Sequence, residues 1–370
     1  MVLKLTLADL LGDRVVYRNL VPADSSLPAL QDVCQELGLE AGRLPRKTEP
    51  AYAAVIFRLL QAAQAARSAP PISNMLFLGD THMLDGTAAR NLAAHAPLRG
   101  FIGADRLAEP ERITYDGVLM VANRWQSLAE LPDWAQRAGL TCDERTAILV
   151  DIDKTFIGAR GRNDRTIDAA RVTAVCQTAE ALLGTSFDET GFRAIYDALN
   201  KPQYHPFTAD NQDYLAYICL MVVGDVFPAD ELWAELALGH LTGFTQFVTV
   251  CDARRQRMAE GLAVAHREVI SNMRHGDPTP FKSFRHREYF ATVGRMDWMP
   301  DDTPLAELLA QEILITEEVV QLLQRLLAAG ALTFGISDKP DEASLPPQAS
   351  AAQGKQPIHR TLMKVAGQAR

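Results

Sequence analysis

Three short, mostly apolar runs in this chain stop abruptly at an acid or a hydroxyl: "NMLFLGD" at 74–80, "TAILVDID" at 146–153 and "ALTFGISD" at 331–338. Runs of this length without polar alternation mark strands buried on both faces, and such strands need a parallel sheet with helices on each side. "LRGFIGAD" at 98–105 and "DGVLMVAN" at 116–123 read the same way. Helical patterns lie between them, notably "PAYAAVIFRLLQAAQAARS" at 50–68, which opens on a proline, and "DGTAARNLAAHA" at 85–96. Strand alternating with helix predicts an α/β fold on a Rossmann-like parallel sheet.

Between residues 160 and 328 the strands give way to long helical patterns, among them "DNQDYLAYICLMVVGDVF", "RRQRMAEGLAVAHREVISNMRHG" and "PLAELLAQEILITEEVVQLLQRLLAAG". The organisation predicted is a first part of the core over 1–159, an inserted all-α domain over 160–328, and the remainder of the core over 329–370. Within that remainder, "SLPPQASAAQGKQP" at 344–357 is of low complexity and reads as a mobile loop, placed to act as a gate.

Composition excludes some partners. A net charge of -9 with no basic block argues against binding nucleic acid, which rests on neutralising phosphates. The five cysteines are scattered and never paired as CxxC, the usage of free thiols in a reducing compartment. The longest apolar run, "LAYICLMVVG" at 215–224, is too short to cross a bilayer. The expectation is a cytoplasmic protein that engages neither nucleic acid nor membrane; the sequence is silent on oligomeric state.

Asp151 and Asp153 stand at the tip of a buried strand, where ionised groups are costly unless something compensates them. Open parallel sheets bind ligands outside the carboxyl ends of their strands, so that is also where a site belongs. Strand alternation would put both carboxylates on one side, able to hold a hard cation such as Mg2+. A DxD pair by itself also suits a helix N-cap or a surface turn.

The complete pattern, four apolar residues then "DIDKT", resembles the first motif, hhhhDxDxT, of the haloacid dehalogenase (HAD) superfamily. The resemblance implies that Asp151 is a nucleophile that becomes an aspartyl phosphate, that Asp153 is the general acid and base, and that Thr155 orients the loop at the substrate. It makes Ser337, ending "ALTFGIS", the hydroxyl that bonds the transferring phosphoryl group. "LPRKTEPAYAAVIFRLL" supplies Lys47 as the charge-neutralising lysine, and "FLGDTHMLDG" resembles the family's GDxxxxD motif. Asp80 and Asp85 then join Asp151 and Asp153 as ligands of Mg2+. The look-alike "VVGDVFPAD", with Asp225 and Asp230, lies among helices and reads as a helix end plus N-cap.

The family's motifs run one, two, three, four; here they run three, four, one, two, with the helical insertion, the place of a cap, between the last pair. This implies a circular permutation, which a parallel sheet tolerates because it fixes strand ends in space wherever the chain begins. Lys339 in "SDKPDEA" and Lys355 in "GKQPIHRTLMKVAG" are alternatives to Lys47. Basic and aromatic residues mix around Arg254 in "RRQR" and around Lys282, Arg285 and Arg287 in "PFKSFRHREYF". Arg254 and Arg285 are candidate grips on an anionic substrate, although such stretches also form solvated helix faces. "GARGRNDR" at 158–165 reads as a hinge or a substrate contact, and His82 as packing or solvated, since the metal should be oxygen-ligated.

Because the family's dehalogenase branch lacks the second aspartate, Asp153 implies a phosphatase: a Mg2+-dependent hydrolase of a small phosphate ester that works through an aspartyl phosphate. Two other readings remain open. One is a DxD-type metal-dependent glycosyltransferase, and the other a non-catalytic HAD-like protein that binds a phosphate compound or a partner.

Overall fold

The computed structural model describes residues 2–40 and 42–367. In chain order its strands are β1 (Lys4–Leu5), β2 (Val15–Val16), β3 (Asn74–Gly79), β4 (Leu98–Gly103), β5 (Ile113–Asp116), β6 (Leu119–Ala122), β7 (Thr146–Asp151), β8 (Ile315–Thr316), β9 (Leu332–Ile336) and β10 (Met363–Ala366). Seven of them form one sheet in the order β2-β9-β7-β3-β4-β6-β5, parallel except for the edge pair β5 and β6. Every residue of β3, β7 and β9 is buried, as continuous apolar runs require when helices cover both faces. The five apolar runs are β3, β4, β6, β7 and β9, and the architecture is α/β with a mostly parallel sheet.

Helix Pro50–Ala66 begins on proline at its first turn and buries Tyr52, Ile56, Leu59 and Ala63, one face of a 3.6-residue period. With helix Leu84–Leu92 it covers one side of the sheet, around Phe77, Leu149 and Phe334. A second, small sheet joins β1 to β10 and β10 to β8.

The described chain divides into two compact units: a sheet unit over 1–169, 292–345 and 349–370, and a helical unit over 170–291 with 346–348. The helical unit is thus shorter than the 160–328 predicted, because the stretch "PLAELLAQEILITEEVVQLLQRLLAAG" is not one helix. It breaks into Leu305–Gln311 and Glu317–Ala328 around β8, and both helices belong to the sheet unit. The break follows from burial: Glu312 through Thr316 are all buried, and Glu312 is held by Lys364 Nζ at 2.9 Å. In the helical unit, helix Gln212–Val223 is buried from Leu215 to Val222 and is the central rod around which Phe192, Phe227, Phe247 and Phe281 pack.

The C-terminal segment is better anchored than a mobile tail. Tyr17 and His359 are bonded at 3.1 Å, Arg360 Nε donates to Asp13 at 2.8 Å, and β10 pairs on both sides. The low-complexity stretch contains a short helix, Gln348–Ala351, and is exposed at Gln348, Ala349 and from Ala351 to Gln356. Among the described residues no helix is long and apolar enough to cross a membrane. All five cysteines are free, and all but Cys142 are buried.

Candidate functional site

β7 lies between β3 and β9, so the carboxyl ends of three adjacent parallel strands deliver Asp151, Asp80 and Ser337 to one edge of the sheet. Asp80 follows the last residue of β3, and Asp85 enters from the first turn of helix Leu84–Leu92. Gly79 makes that approach possible: a Cβ there would overlap the Asp85 side chain. The oxygens of Asp80, Asp85 and Asp151, all buried, lie within 4.8 Å of one another and could hold a metal ion.

Lys47, 3% exposed, reaches the same place from just ahead of helix Pro50–Ala66. Its Nζ is 2.5 Å from Asp85 Oδ1 and 2.5 Å from Asp151 Oδ1. The other Asp85 oxygen accepts from the Thr81 hydroxyl at 2.7 Å and from the Thr81 and Asp80 amides at 2.8 and 3.2 Å. Asp80 takes a hydrogen bond from Arg160 Nε. Three carboxylates therefore share two cations.

The electrostatics follow from that shortage. Burial works against the charge of Lys47, but Asp151 and Asp85 outweigh it and hold the ammonium well above its usual range. Burial pushes Asp85 up, but Lys47 and the Thr81 donors bring it down to about 2. Asp80 rises to about 7, through burial and the charge of Asp85, against the pull of Arg160. Burial likewise drives Asp151 well above the carboxylate range, against Lys47, with Asp85 and Asp80 adding to the rise. A buried oxygen-only donor set that is short of positive charge suits a hard divalent cation.

A testable linkage results. Unfolded, Asp80 ionises near 3.8; folded, it holds its proton to about 7, so the folded state carries the extra proton and metal-free stability falls as pH rises between these values. A cation needs the ionised form and competes with that proton. Saturating Mg2+ is expected to raise the melting temperature by about 5 °C at about pH 8, and by much less at about pH 5.5. Equal shifts at the two pH values in differential scanning fluorimetry would count against a metal at these three residues.

Asp153 is not part of this group, contrary to the expectation of a shared metal. The chain leaves β7 at Asp151 and turns, with Lys154 at φ +62°, so strand alternation no longer aligns the two aspartates. Asp153 instead accepts from Ser337 Oγ at 2.9 Å and lies 3.6 Å from Lys339 Nζ, while the Lys339 amide donates to Ser337 Oγ at 3.0 Å. Two lysines thus flank the aspartates, Lys47 at Asp151 and Lys339 at Asp153; Lys355 is exposed. Thr155 is buried and its hydroxyl has no hydrogen-bond partner among the described residues, while its carbonyl accepts from Thr316 Oγ1 at 2.6 Å.

Arg254 and Arg285, the two candidate substrate grips, face carboxylates of their own helical unit. Arg254 Nη1 donates to Glu231 at 2.9 Å, and Arg285 is buried between Asp213 and Glu288, each 2.5 Å away. Arg285 has no free donor face for a substrate, and the basic pattern around it serves packing of the helical unit. His82 is exposed and bonded to Asp116 at 2.9 Å.

Arg160 is the site residue that sequence reasoning did not single out. Its carbonyl accepts from the Asp105 amide at 2.9 Å and from Trp125 Nε1 at 3.1 Å. Gly161, at φ +77°, lets the loop pass so close to Asp105 that a Cβ would overlap its carbonyl. The signal in the sequence was the pair of glycines, Gly158 and Gly161, around Arg160. Beside Asp80 opens a cavity of about 110 Å3, with Gly103, Arg106, Arg112 and Asn123 among its walls. Compared with protein-family models, with curated proteins and with solved structures, the chain matches none.

Proposed function

We propose that this protein is a metal-dependent phosphoryl-transfer hydrolase of small phosphate esters, a HAD-like phosphatase with its motifs circularly permuted and its helical unit serving as cap. The observation that carries the reading is convergence. Lys47, Asp80, Asp85 and Asp151 meet at the ends of β3 and β7, and Ser337 meets Asp153 beside them, from positions scattered along the whole chain.

In this reading the Asp151 carboxylate attacks phosphorus, the phosphorus–oxygen ester bond breaks, and the departing oxygen takes a proton from Asp153. Asp153, now ionised, removes a proton from the water that hydrolyses the aspartyl phosphate. Ser337 donates a hydrogen bond to a phosphoryl oxygen. Lys47 keeps Asp151 oriented and offsets the repulsion between two anions. Asp80, Asp85 and Asp151 would hold Mg2+, which when bound neutralises charge building up on the phosphoryl oxygens.

The alternative in which Asp151 and Asp153 jointly bind a metal and a sugar diphosphate is weakened by their separation into two clusters. The test is release of p-nitrophenol from p-nitrophenyl phosphate, expected with Mg2+ and abolished by EDTA. No metal-dependent release from a broad panel of phosphate esters would overturn the hydrolase reading.

A further inference from the structure

A cavity of about 490 Å3 is lined wholly by the helical unit and shares no residue with the aspartate cluster. One wall is the helix Glu260–Arg274, which offers Ala263, His266, Arg267, Ile270 and Arg274, successive turns of a single face. The facing wall is the turn after helix Phe244–Ala253, contributing Asp252, Arg255 and Met258.

Charge in this groove is one-sided. Arg255, Arg267 and Arg274 are exposed, and among the described residues none of the three pairs with a carboxylate. The other arginines already described in the unit are neutralised, Arg254 by Glu231 and Arg285 by Asp213 and Glu288, and so are Arg171 by Glu288 and Arg193 by Glu189. The single carboxylate lining the groove, Asp252, is engaged by His266 Nε2 at 3.2 Å, and His266 is fixed from behind by the Tyr217 hydroxyl at 2.6 Å. His266 is 3% exposed, so this part of the wall is a rigid, built surface. Met258, Ala263 and Ile270 add apolar area between the guanidinium groups.

Three guanidinium groups without a carboxylate partner around a concave surface, in a chain with a net charge of -9, make a local positive patch that an anion complements. The volume falls in the range of small-molecule sites, and the apolar strip calls for a ligand with a body as well as a charge. We propose that the groove binds a phosphorylated small molecule with an aromatic or apolar body, the chemistry of a nucleoside di- or triphosphate. The assignment is independent of whether the aspartate cluster hydrolyses esters.

Calorimetric titration of the full chain with ATP in EDTA tests it. One equivalent is expected to bind, and Arg267→Gln with Arg274→Gln should weaken binding at least about tenfold through lost charge-assisted contacts. Both side chains are exposed, so the variant keeps its fold, which circular dichroism checks. Asp151→Asn should leave the affinity within about twofold. Adenosine and inorganic pyrophosphate should each bind at least about tenfold more weakly than ATP, since each lacks half of the recognition. No ATP binding by the native chain, equal binding by the double variant, loss of binding in Asp151→Asn, or pyrophosphate matching ATP would each overturn the proposal.

Discussion

Asp151→Asn is expected to lower turnover of p-nitrophenyl phosphate by at least about 10³-fold, because an amide oxygen is too weak a nucleophile to form the acyl phosphate. The same change should leave the metal-free protein as stable as before or more so. Burial drives the proton affinity of Asp151 up, against Lys47, with Asp85 and Asp80 adding to the rise, and asparagine removes that buried charge. Activity and stability moving in opposite directions is the signature of a group kept for chemistry at the expense of the fold. Asp153→Asn should reduce turnover by about 10²- to 10⁴-fold, the usual range for an acid–base group. It should have little effect on Mg2+ stabilisation, since Asp153 lies outside the three-carboxylate group. An Asp151→Asn protein that still turns over at a tenth of the native rate would remove the nucleophile assignment.

Lys47→Met is expected to destabilise the fold by about 3–5 kcal/mol near neutral pH, because it leaves two buried carboxylates facing each other without their shared cation. Asp85 suffers most. Its carboxyl is held at about 2, against burial, by Lys47 and the Thr81 donors, and a group depressed in this way contributes stability above about pH 4 that is lost as pH falls toward 2. Without Lys47 that contribution shrinks, so the deficit should be largest at neutral pH and narrow in acid, where the carboxylates of both proteins are protonated. Adding Asp85→Asn to Lys47→Met should recover part of the loss, a coupling that a double-mutant cycle in urea reads directly. If Lys47→Met unfolds at the native urea midpoint, the lysine is not the counter-ion described.

How much of this was legible depends on how local the physics is. β3, β4, β6, β7 and β9 could be read because each is an apolar run whose burial on both faces needs no partner to be named. β2 and β8, two residues each, are too short to show a period, and β8 hides inside what looks like one continuous amphipathic helix. Asp80 and Asp85 were visible because their spacing is fixed by a single turn into a helix. Arg160 was not, because its partner Asp80 lies eighty positions away and nothing in "GARGRNDR" says which arginine turns inward. Arg285 failed for the mirror reason. A basic, aromatic stretch looks the same whether its guanidinium faces a ligand or a buried carboxylate such as Asp213, seventy-two positions away.

The place of β9 in the sheet also sets a timetable. It is the last strand of the large sheet to leave the ribosome, yet it is an interior one, inserted between β2 and β7. A nascent chain that has reached residue 160 already owns Lys47, Asp80, Asp85 and Asp151, while Ser337 and Lys339 arrive only after residues 170–291 of the helical unit have been made. Until then β7, whose middle four residues are apolar, has an open edge able to pair with the wrong chain. Closing it joins residues as far apart as Val15 and Gly335, the kind of long-range pairing that folds slowly. Insertion of β9 is therefore the step that gives Asp153 its hydroxyl and lysine neighbours, and a chain lacking it would hold the carboxylate cluster without them.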